Sequence, residues 1–172
     1  MENIHTAHLI YGPVGSGKST YARKLAFDTN AIRFAMDEWM HALFADDRPQ
    51  SMDLGWALSR VARCEALIWS TCEEILASGR DVVLELGATR EADRNRIKAL
   101  VEAAGHRISF HFIDADRDVR WQRVLKRNAD KGQTYSFEVT PAMFDAMERY
   151  FEPPTEKELS LSFEISRSQK IG

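Results

Sequence analysis

The stretch Gly12-Pro13-Val14-Gly15-Ser16-Gly17-Lys18-Ser19-Thr20 matches the pattern G-x-x-x-x-G-K-[ST] at every position. An apolar run at residues 7–11 precedes it, and a helical pattern at residues 18–27 follows it. Glycines here let backbone N–H groups turn inward around an anion, at the positive end of the following helix. We therefore predict that residues 12–20 bind the phosphates of a nucleotide. The alternative is that these glycines and serines only form a strand-to-helix turn.

Two side chains of this loop carry the chemistry that a nucleoside triphosphate needs. Lys18 can reach the β and γ phosphates, and the hydroxyl of Ser19 can bind Mg²⁺. The sequence thus predicts ATP and Mg²⁺ as cofactors.

Outward from the loop, short apolar runs alternate with helical patterns, which is typical of a parallel sheet covered by helices. Val82 to Leu86 is nearly continuous in apolar residues, so we expect it to be a central strand. Strands are predicted at residues 7–11, 31–36, 82–86, 107–113 and 159–165, and helices at 18–27, 38–44, 54–78, 90–104, 116–127 and 141–152.

Thr89 is expected to cap the fourth predicted helix. The third predicted helix has a long apolar stripe. The stripe consists of Leu54, Leu58, Val61, Cys64, Ile68, Cys72 and Ile75. Eight residues of helix separate the two cysteines by roughly 12 Å, which is too far for a disulfide. We expect both thiols to be reduced and buried, in a cytoplasmic protein.

Length and composition indicate one ordinary globular domain spanning residues 1–172. The chain is 44% hydrophobic and 28% charged, with a formal net charge of -3. That balance disfavours a surface that coats extended nucleic acid, although a local basic cleft stays compatible with it. No run approaches the roughly 20 apolar residues of a membrane span, and residues 1–11 are too polar for a signal peptide.

With its phosphate loop and this order of elements, the chain resembles the small P-loop kinases of the nucleoside-monophosphate-kinase-like group. Within that group it is most similar to AAA_33-type ATP-binding proteins related to polynucleotide kinase, chloramphenicol phosphotransferase and zeta toxin. The resemblance covers most of residues 7–165. It implies a three-layer α/β/α P-loop NTPase fold, with a five-stranded parallel sheet in the order 2-3-1-4-5.

The resemblance also implies a role for Asp37, because family members carry an aspartate just after the second strand. There it contacts the acceptor hydroxyl and acts as its base or orienting group. A carboxylate at this edge of a parallel sheet lies beside the phosphate loop. The alternative is that Asp37 caps the helix that begins at Glu38. Trp39, His41 and Phe44 follow it and are candidates for an acceptor pocket.

Glu85 interrupts the apolar run near its end, and a buried carboxylate there needs a cation, a donor or solvent. Family members usually carry Asp at about this place, where it assists Mg²⁺ or binds substrate. We therefore consider two roles for Glu85: assistance to the metal, or pairing with a nearby base.

A basic helix precedes a polar stretch that we interpret as a lid or flap around residues 128–138. Arg120, Arg123 and Arg127 share a face of that helix. By resemblance to family lids, Arg123 and Arg127 are expected to meet the migrating phosphoryl charge, and Arg120 is not. The alternative is a solvated face balanced by nearby aspartates.

The remaining candidates are weaker. Thr89 and Arg90 are candidates to approach the acceptor, while helical spacing favours a core role for Met143, Phe144, Met147, Tyr150 and Phe151.

Together these observations predict an ATP-dependent kinase that transfers the γ-phosphate to a hydroxyl on a small molecule, a nucleoside or a nucleic-acid 5′ end. An ATPase or a nucleotide-binding switch without an acceptor is the alternative, as is a nucleotide-binding remnant without turnover.

Overall fold

The computed structural model describes residues 4–49, 51, 53–132 and 138–168, for residues 162–168 the backbone alone. The strands are β1 (Thr6–Tyr11), β2 (Ile32–Ala35), β3 (Val82–Glu85), β4 (Arg107–Ala115) and β5 (Ser162–Ser168). The helices are α1 (Lys18–Thr29), α2 (Met36–Phe44), α3 (Leu54–Ala77), α4 (Glu91–Ala103), α5 (Arg117–Asp130), α6 (Pro141–Tyr150) and α7 (Glu156–Ser160). None of the described helices is long and apolar enough to cross a bilayer.

All strands of the sheet run parallel, in the order β2-β3-β1-β4-β5. The predicted α/β class with a parallel sheet is confirmed. All four residues of β3 are buried, in keeping with its predicted central position. Because the strands are parallel, their carboxyl ends meet at one edge of the sheet, which is where ligands bind in such sheets. The last residues of β1, β2, β3 and β4 are Tyr11, Ala35, Glu85 and Ala115.

Alternating residues of β1 enter two cores, one on each face of the sheet. Leu9 and Tyr11 belong to the larger one, together with the apolar side of α3. Ile10 packs on the opposite face with Ala22 of α1. The strand that leads into the phosphate loop is therefore clamped between two helical layers.

The apolar stripe of α3 is shorter than its periodicity predicts. Its buried residues are Cys64, Ile68, Cys72 and Leu76, whereas Leu54 and Leu58 are 68% and 58% exposed. The apolar side of α3 is therefore fully buried only from Cys64 onward. Both cysteines are free and buried as expected, and burial raises the pKa of the Cys72 thiol to about 12.

The predicted start of the last strand is wrong for a local reason. Leu159, expected to open a strand, lies in α7, whose N-terminus is closed by a capping box between Thr155 and Glu158. The strand β5 then begins at Ser162. By contrast, the predicted start of α6 is confirmed: the Thr140 hydroxyl accepts a hydrogen bond from the Met143 amide, with Pro141 in the first turn.

A buried ion pair ties α4 to α7 behind the end of β1. Arg94 is fully buried and donates to both carboxylate oxygens of Glu158, at 2.5 and 3.0 Å. Its guanidinium also donates to the Glu152 carbonyl and lies over the Tyr11 ring, 4.9 Å from the ring centroid. This pair fixes the C-terminal segment beneath the strand that supports the phosphate loop.

Candidate active site

Residues 12–17 form a tight loop between β1 and α1. Gly12, Gly15 and Gly17 all have positive φ. A Cβ on Gly12 would lie 2.0 Å from the Ile113 carbonyl oxygen, and one on Gly15 would lie 2.5 Å from that of Arg120. The loop therefore requires glycine both for its backbone conformation and for its close approach to β4 and α5.

Lys18 is directed at the loop itself. Its ammonium donates hydrogen bonds to the carbonyls of Gly12 and Pro13, at 2.9 and 2.8 Å. Burial lowers the pKa of Lys18 to about 8, even though the charges of Asp37 and Glu85 oppose this shift. A desolvated ammonium beside an inward-facing loop is the arrangement that a phosphate needs for charge neutralisation.

The serine hydroxyls of the loop also suit a phosphate and its metal. The Ser16 hydroxyl oxygen is buried and has no hydrogen-bond partner among the described residues. The Ser19 hydroxyl lies beside the Glu85 carboxylate, close enough to lower the pKa of that group. Thr20, the last residue of the motif, is exposed and lines the same cleft.

The cleft has a volume of about 450 Å³ and opens at the carboxyl edge of the sheet. It is lined by the phosphate loop, by Arg33, Asp37, Glu38 and Glu85, by residues 87–89, by Arg123 and Arg127, and by Val139, Met147 and Phe151. The residues predicted to bind phosphate, metal or the migrating charge, and Asp37, all line this cleft, apart from Ser16, which lies buried within the loop.

Glu85 has the cation that its burial demands. Arg33, on the neighbouring strand β2, donates to its carboxylate at 2.8 and 3.2 Å. Burial raises the pKa of Glu85, and the hydrogen bonds from Arg33 and Ser19 act in the opposite direction. The pairing alternative is therefore present in the structure.

Magnesium would have a small set of protein ligands here. The described residues contain no group of three or more His, Cys, Asp or Glu side chains able to hold a metal. The Ser19 hydroxyl and the Glu85 carboxylate are adjacent hard oxygen donors, which fits Mg²⁺ held by few protein ligands plus phosphates and waters.

Arg33 is the main residue of the cleft that sequence reasoning missed. Besides Glu85, it binds Glu38 at 2.9 and 3.0 Å, and Arg23 of α1 donates to Glu38 at 2.6 Å. The two arginines lower the pKa of Glu38, the Arg33 hydrogen bonds most of all. A signal existed: each of two short apolar strands contains one charged residue, Arg33 at the second position of β2 and Glu85 at the last position of β3.

Asp37 does not cap α2, because the helix already begins at Met36 and its N-cap is Ala35. The Asp37 side chain lies in the first helical turn, where a negative charge is favourable. It is exposed, lines the cleft, and has no hydrogen bond or ion pair with any described residue. Its carboxylate is thus available to a ligand.

Arg123 and Arg127 both line the cleft, and Arg123 also donates to the Ser16 carbonyl at 3.1 Å. Arg120 has another role. It is buried and donates to the carbonyls of Ala115 and Val14, at 2.8 and 3.3 Å, and to Glu148. It therefore supports the loop from behind.

Part of the predicted flap is helical, because α5 continues to Asp130. Residues 133–137 of the flap lie outside the described residues. Beyond them the chain returns to α5: the Asn128 amide donates to the Val139 carbonyl at 2.8 Å and accepts from the Val139 amide at 3.1 Å. Val139 is buried and also lines the cleft.

The aromatic residues after Asp37 do not form an acceptor pocket. Trp39 packs against Phe34, and Phe44 against Trp56, while the exposed His41 is also absent from the cleft wall. Trp39 and Phe44 instead pack against the larger core.

Two residues assigned to the core from spacing alone have a second role. Phe144 is buried as expected, but Met147 and Phe151 also line the cleft. Thr89 lines the cleft without capping α4, whose N-terminal Glu91 amide donates instead to the Glu152 carboxylate at 2.8 Å. Arg90 is exposed and bound to Glu152.

Comparison with known proteins places these features in a family. The AAA_33 family model, described as an AAA domain, matches residues 8–154. No curated protein is recognisably similar to the chain in sequence.

Solved structures share the fold at low sequence identity. A candidate kinase from Chloroflexus aurantiacus superposes with a TM-score of 0.71 at 21% identity, over 98% of this chain and 86% of that one. Kti12 of Chaetomium thermophilum, solved with ADP-AlF3, superposes with a TM-score of 0.66 at 12% identity, over 96% of this chain and 89% of that one. A gluconokinase from Sinorhizobium meliloti superposes with a TM-score of 0.58 at 16% identity, over 94% of this chain and 81% of that one.

Proposed function

The chain belongs to this family of AAA domains, and we propose that it is an ATP-dependent phosphotransferase that moves the γ-phosphate of ATP to a hydroxyl acceptor. The observation that carries the proposal is the Asp37 carboxylate, which makes no hydrogen bond or ion pair with the described residues and lines the same cleft as Lys18 and the phosphate loop. A carboxylate beside the phosphate loop can orient a nucleophile and take its proton, and in this proposal that nucleophile is the acceptor hydroxyl.

In this proposal the loop amides and Lys18 bind the β and γ phosphates, and the Ser16 hydroxyl gains a phosphate oxygen as its partner. Ser19, assisted by Glu85, would hold Mg²⁺. When bound, that ion supplies charge neutralisation between the phosphates.

Asp37 orients the acceptor hydroxyl and takes its proton. The hydroxyl oxygen forms a bond to the γ phosphorus while the bond from that phosphorus to the β–γ bridging oxygen breaks, and ADP leaves. Arg123 and Arg127, on the opposite wall of the cleft, meet the charge that develops on the transferred group and on ADP.

The test is incubation with γ-labelled ATP and panels of sugars, nucleosides, antibiotics and 5′-hydroxyl oligonucleotides. Label on an acceptor supports the proposal. Release of inorganic phosphate alone would indicate an ATPase, and binding without either product would indicate a remnant, so both results would contradict it.

A further inference from the structure

The two sides of the cleft differ in charge. Its described cationic residues on the α5 side and in the loop are Lys18, Arg123 and Arg127. On the other side, strand β2, the carboxyl end of β3 and the first turn of α2 contribute Arg33, Asp37, Glu38 and Glu85. We call these four residues the acceptor wall. The sheet order separates the two sides, because β2 and β3 lie on one side of β1 and β4 on the other.

The one cation of the acceptor wall is already engaged. Arg33 donates to Glu85 at 2.8 Å and to Glu38 at 2.9 and 3.0 Å. Glu38 also accepts from Arg23 at 2.6 Å. Two arginines and two glutamates thus balance each other, and an incoming anion would have to displace a carboxylate to reach either guanidinium.

Asp37 leaves the acceptor wall with a net negative charge. It is the charged residue of the wall without an ion pair among the described residues. Arg90, in the loop after β3, does not line the cleft and is bound to Glu152. The other residues contributed by that loop, Gly87, Ala88 and Thr89, are uncharged.

We infer that the acceptor carries no negative charge: it is an uncharged or cationic hydroxyl compound, such as a polyol or an amino alcohol. This inference rests on the proposed function. An anionic acceptor would be desolvated beside Asp37, where the one cation of the acceptor wall is already bound to Glu38 and Glu85. Lys18, Arg123 and Arg127 line the same cleft, but the proposed function assigns them to the phosphates of ATP. Like-charge contacts of this kind are strongly unfavourable. Nucleic-acid 5′ ends, nucleotides and sugar acids are therefore excluded as preferred acceptors.

The experiment compares acceptors that share a hydroxyl and differ in charge. The pairs are sorbitol with gluconate, glucosamine with glucuronate, and adenosine with adenosine 3′-monophosphate, each tested for transfer of labelled γ-phosphate. We expect the uncharged or cationic member of a pair to react at least about tenfold faster. Equal or faster transfer to the anionic members, or to a 5′-hydroxyl oligonucleotide, would overturn the inference and leave the proposed function standing.

Phosphate release with no acceptor labelled in any pair would instead overturn the proposed function, and the inference with it. A variant adds a second readout. Glu38→Gln removes one negative charge and loosens the hold on Arg33, so the ratio of anionic to uncharged transfer should rise about tenfold. Glu102→Gln, on the exposed surface of α4, is the matched control and should leave that ratio unchanged. An unchanged ratio in Glu38→Gln would contradict the assigned role of the wall.

Discussion

The guanidinium of Arg33 on β2 donates to the carboxylate of Glu85 on β3, with the closest nitrogen and oxygen 2.8 Å apart. Only 14% and 9% of the two side chains are exposed, so each charge depends on the other for its burial. Since Glu85 also lies beside the Ser19 hydroxyl, the pair connects the acceptor side of the cleft to the phosphate loop.

Replacing Arg33 by Gln should destabilise the protein by about 3 kcal/mol, because Glu85 would remain buried without its cation. Urea denaturation of the variant and the wild type measures this. The double variant Arg33→Gln/Glu85→Gln should recover part of the loss, since two neutral amides carry no unpaired charge. If the loss in free energy of unfolding in the double variant equals the sum of the losses in the two single variants, the two residues act independently.

Gly15→Ala should impair nucleotide binding more than its backbone strain alone explains. Gly15 and Gly105 both have positive φ, but only at Gly15 would a Cβ meet a backbone atom, the Arg120 oxygen at 2.5 Å. We expect Gly105→Ala to cost about 1 kcal/mol of stability and no affinity. Gly15→Ala should in addition weaken ATP binding about a hundredfold, through displacement of the loop. Equal ATP affinities of the two variants, measured by calorimetry, would contradict the requirement for glycine at position 15 of the phosphate loop.

Lys18→Ala should lower turnover by about a hundredfold or more, because the phosphates lose their desolvated cation. Lys24→Ala is the matched control, since Lys24 lies on the same helix and its exposed side chain pairs with Asp28. Turnover and ATP affinity are measured for both. Wild-type values in Lys18→Ala would refute the phosphate-binding role of the loop.

A polar cluster on the α1 face of the sheet links β1 to β4. His8 Nδ1 lies 3.0 Å from His111 Nε2, and His111 Nδ1 lies 2.8 Å from the Tyr21 hydroxyl. Ser109 is 3.0 Å from His111, and Asp81 lies 3.8 Å from His8 Nε2. Burial lowers the pKa of His8, and the nearby Asp81 only partly opposes this.

The lowered pKa predicts a loss of stability in mild acid. Below about pH 6.5 the unfolded chain takes up a proton at His8 that the folded protein resists, so the free energy of unfolding falls as the pH falls. His8→Asn should flatten this dependence between about pH 6.5 and 5, whereas substitution of the exposed His41 by Asn should not. If the free energy of unfolding changes with pH equally in His8→Asn and in the wild type, His8 is not the cause of the loss in mild acid.

The features that could be predicted are those encoded over short stretches of chain. The phosphate loop is contiguous, and its glycines and Lys18 carry their own geometry. The four strands β1 to β4 were predictable from apolar runs that end at turn residues. Such signals need no knowledge of what lies across the sheet.

The features that could not be predicted depend on partners far away in sequence. Arg33 and Glu85 are 52 residues apart, and Arg94 and Glu158 are 64 apart. The exposure of Leu54 could not be predicted either, because periodicity defines the apolar face of a helix but not how far along the helix that face is covered.

The role of Asp37 in transfer can be separated from nucleotide binding by one substitution. Asp37→Asn keeps the size of the side chain and removes the carboxylate that would take the acceptor proton. Asp46→Asn is the control, because Asp46 is also exposed but does not line the cleft. ATP affinity is measured by calorimetry in all three proteins.

The decisive measurement is the rate at which Asp37→Asn transfers labelled γ-phosphate to an acceptor that the wild type uses. We expect that rate to fall by about a hundredfold or more, with ATP affinity unchanged and the Asp46→Asn rate equal to that of the wild type. Transfer by Asp37→Asn at the wild-type rate would contradict a phosphotransferase that uses Asp37.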